Sequence, residues 1–196
     1  PHLEPMFAYR GEILCYCEHS KRAFAAWLQE KYQTLEALNA AWYRCYTDWS
    51  QVKPPVRMST WTDMMDWRLF WLSNLRRWLR IRVAAAKAGA PDKPVQTHVA
   101  YSAIVGNRIN GGLSNEVVDE FQFAREVDVF GTSAFPKWLM GDNQFVYHLM
   151  QTEIIAEAAR EKPFYQVELQ GGAGRNGLLG TEVPTKRDVT LWNWNT

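Results

Sequence analysis

The sequence is short of several things, and each shortage narrows the reading. It has three cysteines, Cys15, Cys17 and Cys45, an odd and small number for 196 residues. A disulfide framework is therefore not indicated, and a reducing, cytoplasmic setting is expected. Charge of one sign is also lacking: Lys+Arg 22 against Asp+Glu 21 leaves a net charge of +1, without the basic field that nucleic-acid binding draws on. No run of about 18 apolar residues occurs, and no charged segment leads into an apolar one at the start, so neither a membrane span nor a leader is visible. An initiator Met is absent too. The chain opens at Pro1, as expected after processing or for a piece of a longer protein.

Aromatic residues, by contrast, are abundant. They make up 14% of the chain, with 10 Trp, and hydrophobic residues make up 47%. This is enough to fill a core and too much for a disordered chain. Such rings serve either as packing or as flat surface for a ring-shaped ligand, and composition does not separate the two.

Periodicity divides the chain into a helical, aromatic first part and a second part that alternates strand and helix signals. Phe24, Trp27, Leu28 and Tyr32 share one face of a helix predicted over 20–32, and Leu35, Leu38 and Trp42 one over 34–42. Pro54 and Pro55 close that region. A long helix is predicted from about Thr60 to Lys87, with Thr60 and Asp63 as a capping box. Trp61, Met64, Met65, Trp71, Leu72, Leu75, Trp78 and Leu79 form its expected buried stripe. Arg76, Arg77, Arg80 and Arg82 on the same helix read as a solvated face. After Gly89 and Pro91, strands are predicted over 95–104, 127–132 and 164–169, with helices over 115–126 and 144–161 and another starting near Thr185. Strands recurring about every 35 residues with helices between them imply βαβ units, an α/β fold with a parallel sheet.

In such folds chemistry sits where strands end at their C-terminal edge. At the third exit Glu168 ends an otherwise buried strand, where a carboxylate is either functional or an ordinary exposed strand-end acid. Gly172, Gly174 and Gly177 beyond it spell GxGxxG, the pattern of a dinucleotide loop, but no helix opens there and the ribose-binding acid would fall at or past Thr196. A glycine-rich loop beside a substrate cleft accounts for them better. At the second exit, Phe135 and Trp138 follow the strand; Trp138, beyond Pro136, is expected in a loop as a sugar-stacking platform. The first exit offers Tyr101, Ser102 and Asn107. Cys15, Cys17 and His19, with Cys45 supplied by the fold, could form a zinc site, although the spacing is irregular.

The run Cys15-Tyr16-Cys17-Glu18-His19, then Phe24, Trp27-Leu28, Lys31-Tyr32, Thr34-Leu35-Glu36-Ala37-Leu38-Asn39 and Ala41-Trp42 resembles the segment after the fourth barrel strand in glycoside hydrolase family 42. Trp49-Ser50-Gln51, Pro54-Pro55, Phe135-Pro136 and Glu168 extend the likeness over most of the chain. The resemblance implies a retaining β-galactosidase-like enzyme on a TIM (β/α)8 barrel, with Glu168 as the nucleophile at the end of strand seven. The chain would then be a partial barrel, running from the end of strand four to the helix after strand seven. Residues 1–94 would be a helical insertion and the helix after strand four, and 95–196 would hold strands five to seven. Trp138, Phe135 and Tyr101 would contact an oligosaccharide or other β-glycoside.

The sequence departs from the family pattern in places. The family's acid/base is the Glu of an Asn-Glu pair, whereas Glu4-Pro5 follows Leu3, so the acid/base is expected just upstream of residue 1, with Glu4 as the alternative. The third cysteine of the family's zinc cluster is replaced by Ser20, so no metal is expected, nor any other cofactor. The family's Tyr-Pro after strand six is Phe135-Pro136, which removes a hydroxyl, and its preceding Trp-Asp is Thr132-Ser133. A fragment of this kind is expected to be inactive alone. No nucleic-acid or membrane partner is expected, and the full-length protein could form a homo-oligomer. The rival function is a non-catalytic carbohydrate-binding protein that keeps the aromatic platforms but has no carboxylate pair.

Overall fold

The computed structural model describes residues 8–9, 12–13, 15–56, 60–99, 102, 118–139, 143–172 and 183–194, with backbone alone at 8–9, 12–13 and 138–139. Its contacts group into two units, Met6–Leu75 and the residues from Arg76 onward.

The first unit is held together by rings. A two-stranded antiparallel pair, β1 (Ala8–Tyr9) and β2 (Glu12–Ile13), precedes helix α1 (Glu18–Tyr32), which buries Phe24 and Leu28. Helix α2 (Leu35–Trp42) starts at Thr34, whose hydroxyl accepts from the Ala37 N–H at 3.2 Å, a side-chain cap on one of the orphan donors of the first turn. It stops at Tyr43 in the left-handed conformation at φ 55°. Helix α3 (Trp61–Gly89) begins where expected, with the Thr60 hydroxyl donating to the Asp63 carboxylate at 2.6 Å.

The face that α3 buries differs from the expected stripe. Trp61, Met65 and Trp78 are 64%, 45% and 51% exposed, whereas Trp67 and Phe70, absent from that stripe, are buried together with Met64 and Leu79. The partner helix decides the matter: Phe24 of α1 meets Trp67 edge-on at 4.8 Å and Phe70 at 5.4 Å, and Trp67 stacks on Tyr16 at 5.9 Å. A helix this rich in apolar side chains offers more than one stripe, and contact chooses between them.

In the second unit three strands run parallel in the order β3 (Gln96–Val99), β4 (Val129–Ala134), β5 (Phe164–Leu169), with β4 central. The first expected strand is described over Gln96–Val99, and its residues 100–101 and 103–104 lie outside the described residues. The second starts and ends two residues later than expected, because Val95 N–H and the Lys87 ammonium both bond the Asp128 carboxylate and hold that residue ahead of the strand. Helix α4 (Glu120–Ala124) precedes β4, the single turn α5 (Pro136–Leu139) follows it, α6 (Gln144–Ala159) precedes β5, and α7 (Lys186–Trp194) follows β5. Every residue of β4 is buried. Gly131 is required there, since a Cβ at that position would fall 2.2 Å from the Tyr165 carbonyl oxygen.

Of the arginines expected on a solvated face, Arg77, Arg80 and Arg82 are exposed and Arg76 is half-buried, and two of the four are also ion-paired. Arg76 and Arg80 converge on Glu126 at 2.6 and 2.8 Å, and Arg76 also donates to Gln122 at 2.8 Å. The bond from Arg80, with that from Arg76, outweighs burial and holds the Glu126 carboxyl below the usual range. Among the described residues no helix is long and apolar enough to cross a membrane.

Candidate active site

The expected site residues Phe135 and Glu168 lie at the exits of β4 and β5. Parallel register partners place their side chains on the same face of the sheet. Gly131 pairs with Tyr165 and Thr132 with Gln166, but Ser133 pairs with Glu168, so Val167 is an extra residue and β5 bulges there. Strict alternation would set Glu168 on the face of Gln166, against the helices. The bulge moves it to the face of Tyr165, and the exposure of β5 follows suit, with Tyr165, Val167 and Glu168 open while Phe164, Gln166 and Leu169 are partly covered. Re-aiming one side chain at the end of a strand is a recognised use of a bulge near an active site.

The covered face shows what holds the bulge. From α6, Gln151 Nε2 donates to Thr132 Oγ1 and to the Ser133 carbonyl, each at 2.7 Å. From β5, Gln166 Nε2 donates to the carbonyls of Thr132 at 3.1 Å and Glu168 at 2.6 Å. All three carbonyls flank the irregular step, where the two side-chain amides supply them with donors. His148 is fully buried beside them; burial pushes its imidazole below the ordinary value, against an opposing contact with Gln166.

Beyond the strands, a second network ties the exits together. The Lys137 backbone N–H donates to Gln170 Oε1 at 3.0 Å, and its ammonium reaches Asp188 at 2.7 Å and the Val183 carbonyl at 3.2 Å. Gln170 itself is 2% exposed. The turn Pro136–Leu139 is thereby fixed to the exit of β5 and to the start of α7.

The expected site residues fare differently. Glu168 is the penultimate residue of β5 and exposed, and Phe135 is half-buried at the exit of β4. Trp138 is in the helical turn Pro136–Leu139 and not in a loop, because Pro136 supplies the fixed φ that suits a first helical position; its side chain lies outside the described residues. Tyr101, Asn107, Glu4, Gly174 and Gly177 lie outside them as well, and Ser102 is buried. Among the described residues no three His, Cys, Asp or Glu side chains gather as a metal would need. The exposed Cys17 thiol is lowered to about 7, mainly by bonds from the Ser20 hydroxyl and N–H, with Cys15 adding.

Sequence reasoning missed Gln151, Gln166, Gln170 and the pair Lys137 and Asp188. A signal for the first existed: Gln144, His148, Gln151, Thr152 and Ile155 fall on one helical face, a polar stripe where an apolar one would be expected against a sheet. A cavity of about 400 Å³ opens elsewhere, between Phe121 and Arg125 on one side and Arg160 and Lys162 on the other. It adjoins segments preceding β4 and β5, and Lys162 is already bonded to the carbonyls of Ala124 and Val127 at 2.7 Å each.

Comparison with known proteins supplies the decisive observation: the family model for beta-galactosidase, glycoside hydrolase family 42, matches residues 8–196. The chain belongs to this family. It is 27% identical over 188 residues to the beta-galactosidase LacZ of Heyndrickxia coagulans, covering 92% of this chain and 26% of that protein. To the beta-galactosidase BglY of Alicyclobacillus acidocaldarius it is 29% identical over 171 residues, 82% of this chain and 23% of the relative. The crystal structure of the beta-galactosidase from Bacillus circulans sp. alkalophilus is similar with a TM-score of 0.73 at 25% identity, over 93% of this chain and 27% of the other. The beta-galactosidase from Halorubrum lacusprofundi, at TM-score 0.75 and 17% identity over 92% of this chain and 28% of that one, shares the fold. The chain thus spans about a quarter of the length of these family 42 relatives.

Proposed function

We propose that the chain forms part of a retaining β-galactosidase-like glycoside hydrolase in which Glu168 is the nucleophile. The observation that carries this reading is the bulge, which brings the one strand-end acid among the described exits onto the open face of the sheet. The family match supplies the substrate class, a β-galactoside or similar β-glycoside. On this reading the chain contributes strands five to seven of a (β/α)8 barrel within residues 95–196, and residues 1–94 form the helical insertion and the helix after strand four.

In the reaction the Glu168 carboxylate attacks the anomeric carbon as the bond to the leaving oxygen breaks. A second carboxylic acid, about 5–5.5 Å away, gives that oxygen its proton. Water then attacks the glycosyl ester, giving its proton to the second group and freeing Glu168. Phe135, Trp138 and Tyr101 are assigned to sugar contact. The second carboxylate is assigned to a position before residue 1, or alternatively to Glu4. The described strand exits carry no second acid, and the 196 residues alone are inactive on this reading.

Replacing Glu168 by Gly in the polypeptide that carries this sequence should lower turnover by roughly 10⁴-fold or more, and added azide should restore product as a glycosyl azide of inverted configuration. Trapping with a 2-fluoro glycoside and peptide mapping gives the direct check. Label on any residue other than Glu168 would remove it from the nucleophile role.

A further inference from the structure

The register that places Glu168 also places a second group. Thr132 turns to α6, where it meets Gln151 at 2.7 Å. Ser133, one residue on, turns to the opposite face, and its register partner is Glu168. Ser133 is 0% exposed, and its hydroxyl oxygen has no hydrogen-bond partner among the described residues. A buried hydroxyl left unpaired is costly, and native structures rarely tolerate it without a reason. The neighbouring side chains explain little of it: Phe135 has no hydroxyl to offer, and the amide nitrogens of Gln151 and Gln166 are engaged on the other face. Neighbouring strands lie about 4.8 Å apart, which a serine hydroxyl and a glutamate carboxylate on one face span by side-chain rotation.

We propose that Ser133 is a positioning residue for Glu168, its hydroxyl donating to one carboxylate oxygen and leaving the other directed at the anomeric carbon. The idea rests on Glu168 being the nucleophile. It makes the bulge a device with two effects: it turns the acid to the open face and sets it opposite a buried donor. The hydroxyl acts through the carboxylate and touches no substrate.

The test is a double-mutant cycle in the polypeptide that carries this sequence, with an aryl β-galactoside as substrate. Ser133→Ala should lower kcat about 10-fold with KM changed by less than about 2-fold, since the lost contact orients a group that acts in the transition state. In the Glu168→Gly background supplied with azide, Ser133→Ala should change the rescued rate by less than about 2-fold, because no carboxylate remains to be oriented. A wild-type kcat for Ser133→Ala overturns the proposal. So does an equal loss in both backgrounds, which would mean that Ser133 only supports the strand. Failure of the nucleophile reading shows separately: Glu168→Gly alone would stay active, or azide would give no inverted product, and Ser133 would lose its role with it. Thermal unfolding of Ser133→Ala, within a few degrees of the parent, confirms that the variant is folded.

Discussion

Asp66 lies among aromatic side chains and is 3% exposed. It accepts from the Tyr32 hydroxyl at 2.6 Å, from Trp42 Nε1 at 2.9 Å and from the Lys31 ammonium. A buried carboxylate with three donors is stable only while all are present, and removing it strands the indole N–H and the phenol. Burial, aided by the Asp66 bond, pushes the Tyr32 phenol above its ordinary value. Asp66→Ala is expected to cost about 3–5 kcal/mol in urea unfolding; a cost below about 1 kcal/mol would show the cluster to be incidental. This residue was not legible in the sequence. It falls between Met65 and Trp67 in a helix full of rings, and its three donors lie 24 to 35 positions away. The proposed nucleophile, Glu168, stands out locally as an acid next to the end of a strand, whereas the role proposed for Ser133 depends on its register partner across the sheet.

At the level of elements, long periodic segments were readable and irregular ones were not. The strand Phe164–Leu169 and the start of α6 at Gln144 fall where they are expected. The bulge in that strand was hidden because it is a property of pairing: the one-residue slip is visible only once β4 lies alongside. Capping chemistry was partly readable. Helix α7 starts with a reciprocal box: Thr185 donates its N–H and hydroxyl to Asp188 at 2.6 and 2.8 Å, and the Asp188 N–H returns a bond at 3.2 Å. Burial opposes ionisation of Asp188, but the Lys137 ammonium and the Thr185 donors prevail and lower its carboxyl from 3.8 to about 2. A depressed acid contributes stability above its unfolded value and loses it as pH falls through the folded value. The contribution of Asp188 is therefore complete above about pH 4 and disappears between pH 4 and 2. Thermal midpoints should fall over that window, and the fall should be shallower for Asp188→Asn. Equal slopes for the two proteins would show that the bridge from Lys137 does not stabilise the fold.

For the molecule as a whole, the exposed side of β5 matters most. Parallel sheets are normally covered on both faces, yet Tyr165 is 55% and Val167 38% exposed. Strands β3 and β5 each have one neighbour among the described residues. Exposed apolar surface beside unpaired strand edges favours association, and a net charge of +1 on 196 residues offers little repulsion against it. The 196 residues studied alone should therefore bind the dye ANS and sediment as growing species at micromolar concentrations and above, while leaving a nitrophenyl galactoside intact. Tyr165→Lys with Val167→Lys should reduce both dye binding and association, because each lysine charge disfavours stacking of one open face on another. A monomer free of ANS across that range would mean that the face is self-sufficient, and normal turnover by that monomer would refute the need for a second carboxylate from elsewhere.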